Sequence, residues 1–102
     1  MNYKNKNIGI LGLGVSGYWA AKLAHSLGAN VFISDASSNV NNFFVEELKS
    51  LGVDVELGSH SNKILNTDLI IKSPGISNNI QIIKKLLEKK LPVISEIEFA
   101  HR

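Results

Sequence analysis

The chain has 102 residues, 44% of them hydrophobic and 20% charged, with a formal net charge of +2 and no cysteine. That composition fits one soluble globular domain with a real core, and it excludes disorder, disulfide frameworks and thiolate metal sites. The basic balance, with pI ≈ 9.0, comes from scattered lysines rather than a block, so it gives no footprint for a nucleic-acid partner. The polar start, Met1 to Asn7, lacks a signal-peptide core, and no apolar run nears the roughly 20 residues that span a bilayer. No membrane partner and a cytoplasmic location are expected.

Asn7 to Leu11 (NIGIL) predicts a buried strand ending at Gly12. From Val15 to Leu27, the residues Ala20, Leu23, Ala24 and Leu27 fall on one helical face, with Gly28 placed for a left-handed cap. Asn30 to Ser34 (NVFIS) predicts a second strand, followed by Asp35 and a polar loop. Asn42 is the expected cap of a helix presenting Phe44, Leu48 and Leu51. Val53 to Leu57 alternates apolar and acidic residues, as at a wet sheet edge, whereas Leu69 to Ile71 is wholly apolar and therefore more central. Ile80 to Lys89 predicts an amphipathic helix with Ile83, Leu86 and Leu87 inward and Lys84, Lys85, Glu88 and Lys89 outward. Val93 and Ile94 form a last short strand, and Glu96 to Arg102 begins another helix.

Strands and helices in alternation predict an α/β, Rossmann-like, three-layer domain with a five-stranded parallel sheet, order 3-2-1-4-5, and helices on both faces. Ligands of such sheets lie beyond the strands' carboxyl ends, where the winding reverses. The glycine turn, the Asp35 loop and Ser73 to Gly75 meet there.

Gly12, Gly14 and Gly17 make a G-x-G-x-x-G between a strand and a helix. The first glycine permits the turn, the second lets backbone approach a diphosphate, and the third lets helix and strand pack closely. The free N–H groups at the helix start, near Val15 and Ser16, favour an anion. Asp35, eighteen residues beyond Gly17, suits either the ribose of NAD or the imide N–H of a uracil. Ser73-Pro74-Gly75 reads on its own as a turn. Three functions stay open on the residues alone: a nicotinamide-binding domain, a uridine-diphosphate site, or a non-catalytic interaction module.

Taken in order, GLGVSG, GSH (Gly58 to His60), SPGI (Ser73 to Ile76) and EIE (Glu96 to Glu98) resemble the N-terminal domain of the Mur ligase family, from about Lys6 to Arg102, in its D-glutamate-adding form. The resemblance implies a domain that binds the UDP of UDP-MurNAc-L-alanine. Gly14, Val15, Ser16 and Gly17 would lie at the diphosphate, Asp35, Ala36 and Ser37 at the uracil, and Ser73, Pro74 and Gly75 along the wall from the fourth strand. Ala36 and Ser37 depart from relatives that carry a hydroxyl and a basic side chain there. It further implies a central domain binding ATP and Mg2+ and a third domain bringing the amino acid. In such ligases the substrate carboxylate is activated as an acyl phosphate and attacked by the D-glutamate amine.

No G-x-x-x-x-G-K-[ST] occurs, so the expectation is an N-terminal piece of a larger ligase, with no cofactor or catalytic residue of its own. His25, His60 and His101 lack metal-ligand spacing, and His60 reads as a loop residue. Glu96 and Glu98, two apart on a helix, do not face each other and are assigned to capping and domain contact. Trp19 is assigned to packing, and the lysines at 84, 85, 89 and 90 to a solvated face.

Overall fold

The computed structural model describes residues 2–76 and 80–101, so Met1 and the Arg102 end of the last expected helix lie outside it. Five parallel strands, β1 (Asn7–Leu11), β2 (Asn30–Asp35), β3 (Asp54–Leu57), β4 (Leu69–Lys72) and β5 (Val93–Ser95), pair in the order β3-β2-β1-β4-β5. The helices are α1 (Val15–Ser26), α2 (Asn42–Ser50), α3 (Gln81–Glu88) and α4 (Glu96–Ala100). A 3₁₀ turn, Asn62–Asn66, adds an element that was not expected.

Alternation along the strands divides the core in two. Ile8, Ile10, Val31, Ile33, Leu69, Ile71 and Ile94 pack with α1, α2 and α4, whereas Leu11, Phe32 and Ile70 pack with the 3₁₀ turn and α3. Winding reverses at β1: the chain first moves outward through β2 to β3, then returns to β4 on the other side. Leu11 is therefore in register with Ser34 on one side and Lys72 on the other, which brings three loops to one end of the sheet.

Gly9, in this central strand, is explained by the 3₁₀ turn. A β-carbon at position 9 would stand 2.8 Å from Cγ1 of Ile64, which is fully buried. The isoleucine occupies the volume that a strand side chain would have filled.

Helix α1 corrects the expected apolar face. It buries Gly17, Tyr18, Ala20, Ala21 and Ala24, while Leu23 and Leu27 remain 38% and 43% exposed. Small residues face the sheet because the helix lies close to the turn that begins it. Gly28, at φ +88°, closes α1 as expected, its N–H bonding the His25 carbonyl at 3.0 Å.

Two further expectations shift. Asn41 rather than Asn42 caps α2, its side chain accepting from the N–H groups of Phe43 at 2.8 Å and Phe44 at 3.3 Å. In α3 the buried residues are Ile82, Ile83 and Leu86, and Leu87 is 58% exposed. The edge position of β3, with Asp54 exposed, agrees with its alternating sequence. No helix among the described residues is long and apolar enough to cross a membrane.

Candidate functional site

The site is built from the β1–α1 turn outward. Gly12 takes φ +104°, a conformation side chains disfavour, and a β-carbon there would stand 2.8 Å from that of Ser73. Its N–H bonds the Ser34 carbonyl at 2.8 Å, and the N–H of Ser73 bonds the Leu11 carbonyl at 3.0 Å. All three loop origins are thus tied together by backbone bonds.

Gly14 is the N-cap of α1 and supplies no capping side chain; the first turn carries no acidic residue. The helical ladder begins with the Tyr18 N–H on the Gly14 carbonyl at 3.0 Å, so the N–H groups of Val15, Ser16 and Gly17 precede it. Nothing lies within 4 Å of where a Gly14 β-carbon would be, whereas one at Gly17 would collide with the Gly12 carbonyl oxygen. The second glycine leaves open space over the helix end, and the third makes the close packing beneath it.

Asp35 does something the sequence did not disclose. Its Oδ2 accepts from the Leu13 N–H at 2.8 Å and its Oδ1 from the Ser37 N–H at 2.9 Å, while its carbonyl accepts from Gly58 at 2.9 Å. This carboxylate joins the glycine turn to its own loop. Ala36 and Ser37 beyond it are exposed. On the far side, Lys72 Nζ donates to the Ile76 carbonyl at 2.7 Å and fastens the Ser73-Pro74-Gly75 turn, in which Ser73 is half-buried and the other two are exposed.

Two concavities adjoin these loops. One, about 580 Å³, is lined by Ala36, His60, Gly75, Ile76, Ile80 and Lys85 among others. It brings the second and third expected segments together. The other, about 650 Å³, is an apolar groove between α1 and α4 whose lining includes Val15, Ser16, Trp19, Pro74 and Ile97. Trp19 is 58% exposed there, rather than packed away, although its ring meets Tyr18 edge-on at 5.2 Å.

His60 keeps its expected place in the loop after β3 but gains a distant partner, and Glu96 departs from the capping role expected of it. His60 Nδ1 lies 2.8 Å from the hydroxyl of Ser34, a residue only 1% exposed. Burial lowers the imidazole pKa, outweighing the opposite pull of the Asp35 and Glu56 carboxylates. Burial also raises the Glu56 carboxyl, but the hydrogen bonds from Ser61 and the charges of Lys63 and His60 bring it below its usual value. Ser95, not a glutamate, caps α4; Glu96 is 8% exposed, and its Oε1 has no hydrogen-bond partner among the described residues. The sequence signal for His60 was its place in the loop after an edge strand. Nothing in it revealed a partner 26 residues earlier.

The chain has no phosphate-binding lysine loop, and no group of three or more His, Asp or Glu side chains among the described residues could hold a metal ion.

A parallel sheet that reverses its winding beside an uncapped, glycine-opened helix end places the chain in the Rossmann-like class of α/β domains. Within that class, it belongs to the family described as Mur ligase MurD-like, N-terminal domain, whose model matches residues 6–95. It is 44% identical over 103 residues to the UDP-N-acetylmuramoylalanine–D-glutamate ligase of Bacillus cytotoxicus, covering 99% of this chain and 23% of that protein. The chain therefore spans less than a quarter of that relative. Among solved structures, a murein peptide ligase from Psychrobacter arcticus superposes with TM-score 0.80 at 26% identity, over 93% of this chain and 20% of that one. The UDP-N-acetylmuramate–alanine ligase MurC of Thermotoga maritima gives TM-score 0.79 at 21% identity, over 93% and 22%, a likeness of fold.

Proposed function

We propose that this chain is the domain that holds UDP-MurNAc-L-alanine for an ATP-dependent ligase adding D-glutamate in peptidoglycan precursor synthesis, working in the cytoplasm. The observation that carries the reading is the uncapped start of α1, with open space above Gly14 and no acidic side chain in its first turn. Backbone N–H groups and the positive helix end favour a diphosphate at that point. Kinship with the D-glutamate-adding ligases supports a uridine nucleotide over a nicotinamide one.

In this reading Gly14, Val15, Ser16 and Gly17 receive the diphosphate. Asp35 to Ser37 and Ser73 to Gly75 form the two walls. ATP and Mg2+ belong to the central domain of the parent enzyme, and the amino acid to a third. This chain binds and orients, and the bond is made elsewhere.

Amide NMR with UDP, UDP-MurNAc-L-alanine or NADH added separately tests the reading. The expected result is movement of the Gly14, Asp35 and Gly75 signals with both uridine compounds and not with NADH. A response to NADH alone assigns the crevice to a dinucleotide and overturns it. No response to any of the three makes the chain an interaction module instead.

A further inference from the structure

Along α1, Val15, Trp19 and Leu23 follow one another at i, i+4 and i+8, so their side chains line up on one face. That row forms one wall of the 650 Å³ groove, and α4 forms the other. Val15 is 63% exposed, Trp19 58% and, across from them, Ile97 69%. Large apolar side chains gathered in one concavity, rather than scattered singly, mark a surface that another body covers.

Glu96 supplies the polar part of the groove. It is only 8% exposed, and its Oε1 has no hydrogen-bond partner among the described residues. A carboxylate so enclosed is costly unless a donor or a positive charge meets it. Among the described residues no basic side chain lines the groove to do so. What fits is an apolar surface carrying one hydrogen-bond donor, from a lysine, an arginine or a hydroxyl. A nucleotide, anionic and rich in acceptors, does not match.

The place of the groove in the fold names the occupant. The family is one of N-terminal domains, and the Bacillus cytotoxicus relative is matched over 23% of its own length, so most of such a ligase lies outside this fold. The five-residue helix α4 is anchored by Phe99, whose ring meets that of Tyr3 edge-on at 5.4 Å, and it presents Ile97 outward. A chain continuing from α4 therefore departs from the wall of the groove itself. A domain tethered at that point meets the groove at high effective concentration, an advantage that a second copy or a separate protein lacks.

We propose that the domain following α4 in the parent ligase docks in this groove, packing apolar side chains on Trp19 and Ile97 and bringing a hydrogen-bond donor to the Glu96 carboxylate. The inference rests on the reading of this chain as the first domain of a larger ligase, and it does not depend on which ligand the chain holds. Val15 belongs both to this wall and to the turn that opens α1, so the docked domain abuts the proposed diphosphate position.

Trp19 is the single tryptophan of the chain and reports on the groove. The test incorporates fluorotryptophan into this chain and into the full-length ligase, assigns the Trp19 signal through Trp19→Phe, and reads its broadening by a soluble gadolinium chelate. Strong broadening is expected in this chain and its loss in the full-length protein. Ile97→Asp is expected to leave the melting temperature of this chain unchanged and to restore broadening in the full-length protein. Glu96→Gln is expected not to lower the melting temperature of this chain, where the carboxylate has no partner to lose, and to restore part of the broadening in the full-length protein.

Equal broadening in the two proteins means that the groove stays open, and the proposal is overturned. Protection of Trp19 that appears in this chain alone and rises with its concentration assigns the groove to a second copy, and overturns it also. Should the variants not fold, the two wild-type proteins decide the matter. The UDP titration of the Gly14 amide is read separately: an open groove with UDP bound removes the docking and leaves the ligand reading, and a covered groove without UDP binding does the reverse.

Discussion

Asp35 at the end of β2 accepts the Leu13 N–H at 2.8 Å, across 22 residues of sequence, and so pins the turn that opens α1. Its second oxygen holds Ser37. Asp35→Ala removes two backbone hydrogen bonds to a charged acceptor, and the expected loss is about 1–3 kcal/mol of stability. Asp35→Asn retains one acceptor oxygen and should fall between. Urea unfolding of the three proteins checks this; equal midpoints would mean that the carboxylate is not a structural tie.

The two glycines that flank the helix start should separate binding from folding. A side chain at Gly14 enters open space, so Gly14→Val is expected to fold normally and to weaken UDP at least tenfold, or ~1.4 kcal/mol, by crowding the anion. Unchanged affinity would place the diphosphate elsewhere. Gly17→Ala drives a methyl into the Gly12 carbonyl and should cost about 1–3 kcal/mol of stability whether or not ligand is present. Calorimetric titration and thermal melts read the two effects separately.

Asn41 carries the start of α2. Removing its side-chain acceptor in Asn41→Ala should destabilise the fold by about 1 kcal/mol, while Asn42→Ala, one residue later, should change stability by much less. If the two variants melt alike, the cap is misassigned.

Lys22 on α1 donates to Glu47 on α2 at 2.7 Å, with the pair 31% and 27% exposed. The ammonium hydrogen bond is the main reason that the Glu47 carboxyl titrates below its ordinary value and the Lys22 ammonium above its own. For Glu47 the contribution to stability is present above the unfolded value, about pH 4.3, and is lost as pH falls through the lower folded one. For Lys22 it is present below about pH 10.4 and lost as pH rises through the higher folded one. The melting-temperature gap between wild type and Glu47→Gln should therefore be flat near neutral pH and close at both extremes. A gap that persists unchanged into acid would show that packing, not charge, joins these helices.

Strand order and the reversal at β1 were legible because parallel strands need crossovers and because the glycines sit where periods change. The helix faces were less so. Leu23 and Leu27 looked like core by hydrophobicity, yet Gly17, Ala20, Ala21 and Ala24 took the sheet-facing positions because Gly17 lies against the Gly12 carbonyl. Close approach selects small residues, and a pattern scored on apolarity points to the wrong stripe. The adjacent Asn41 and Asn42 left the cap uncertain by one residue. At the site, the glycine turn that opens α1 was readable from spacing, whereas the Ser34–His60 bond and the Asp35–Leu13 bond are contacts between distant segments. No local pattern encodes them.

The fit between Gly9 and Ile64 also constrains descent. A lineage that gains a side chain at position 9 must trim position 64 in the same step or pass through an overfilled intermediate, because the two share one volume. The pair should accordingly drift as a unit among distant cousins, a correlated signature in inherited variation rather than two independent preferences.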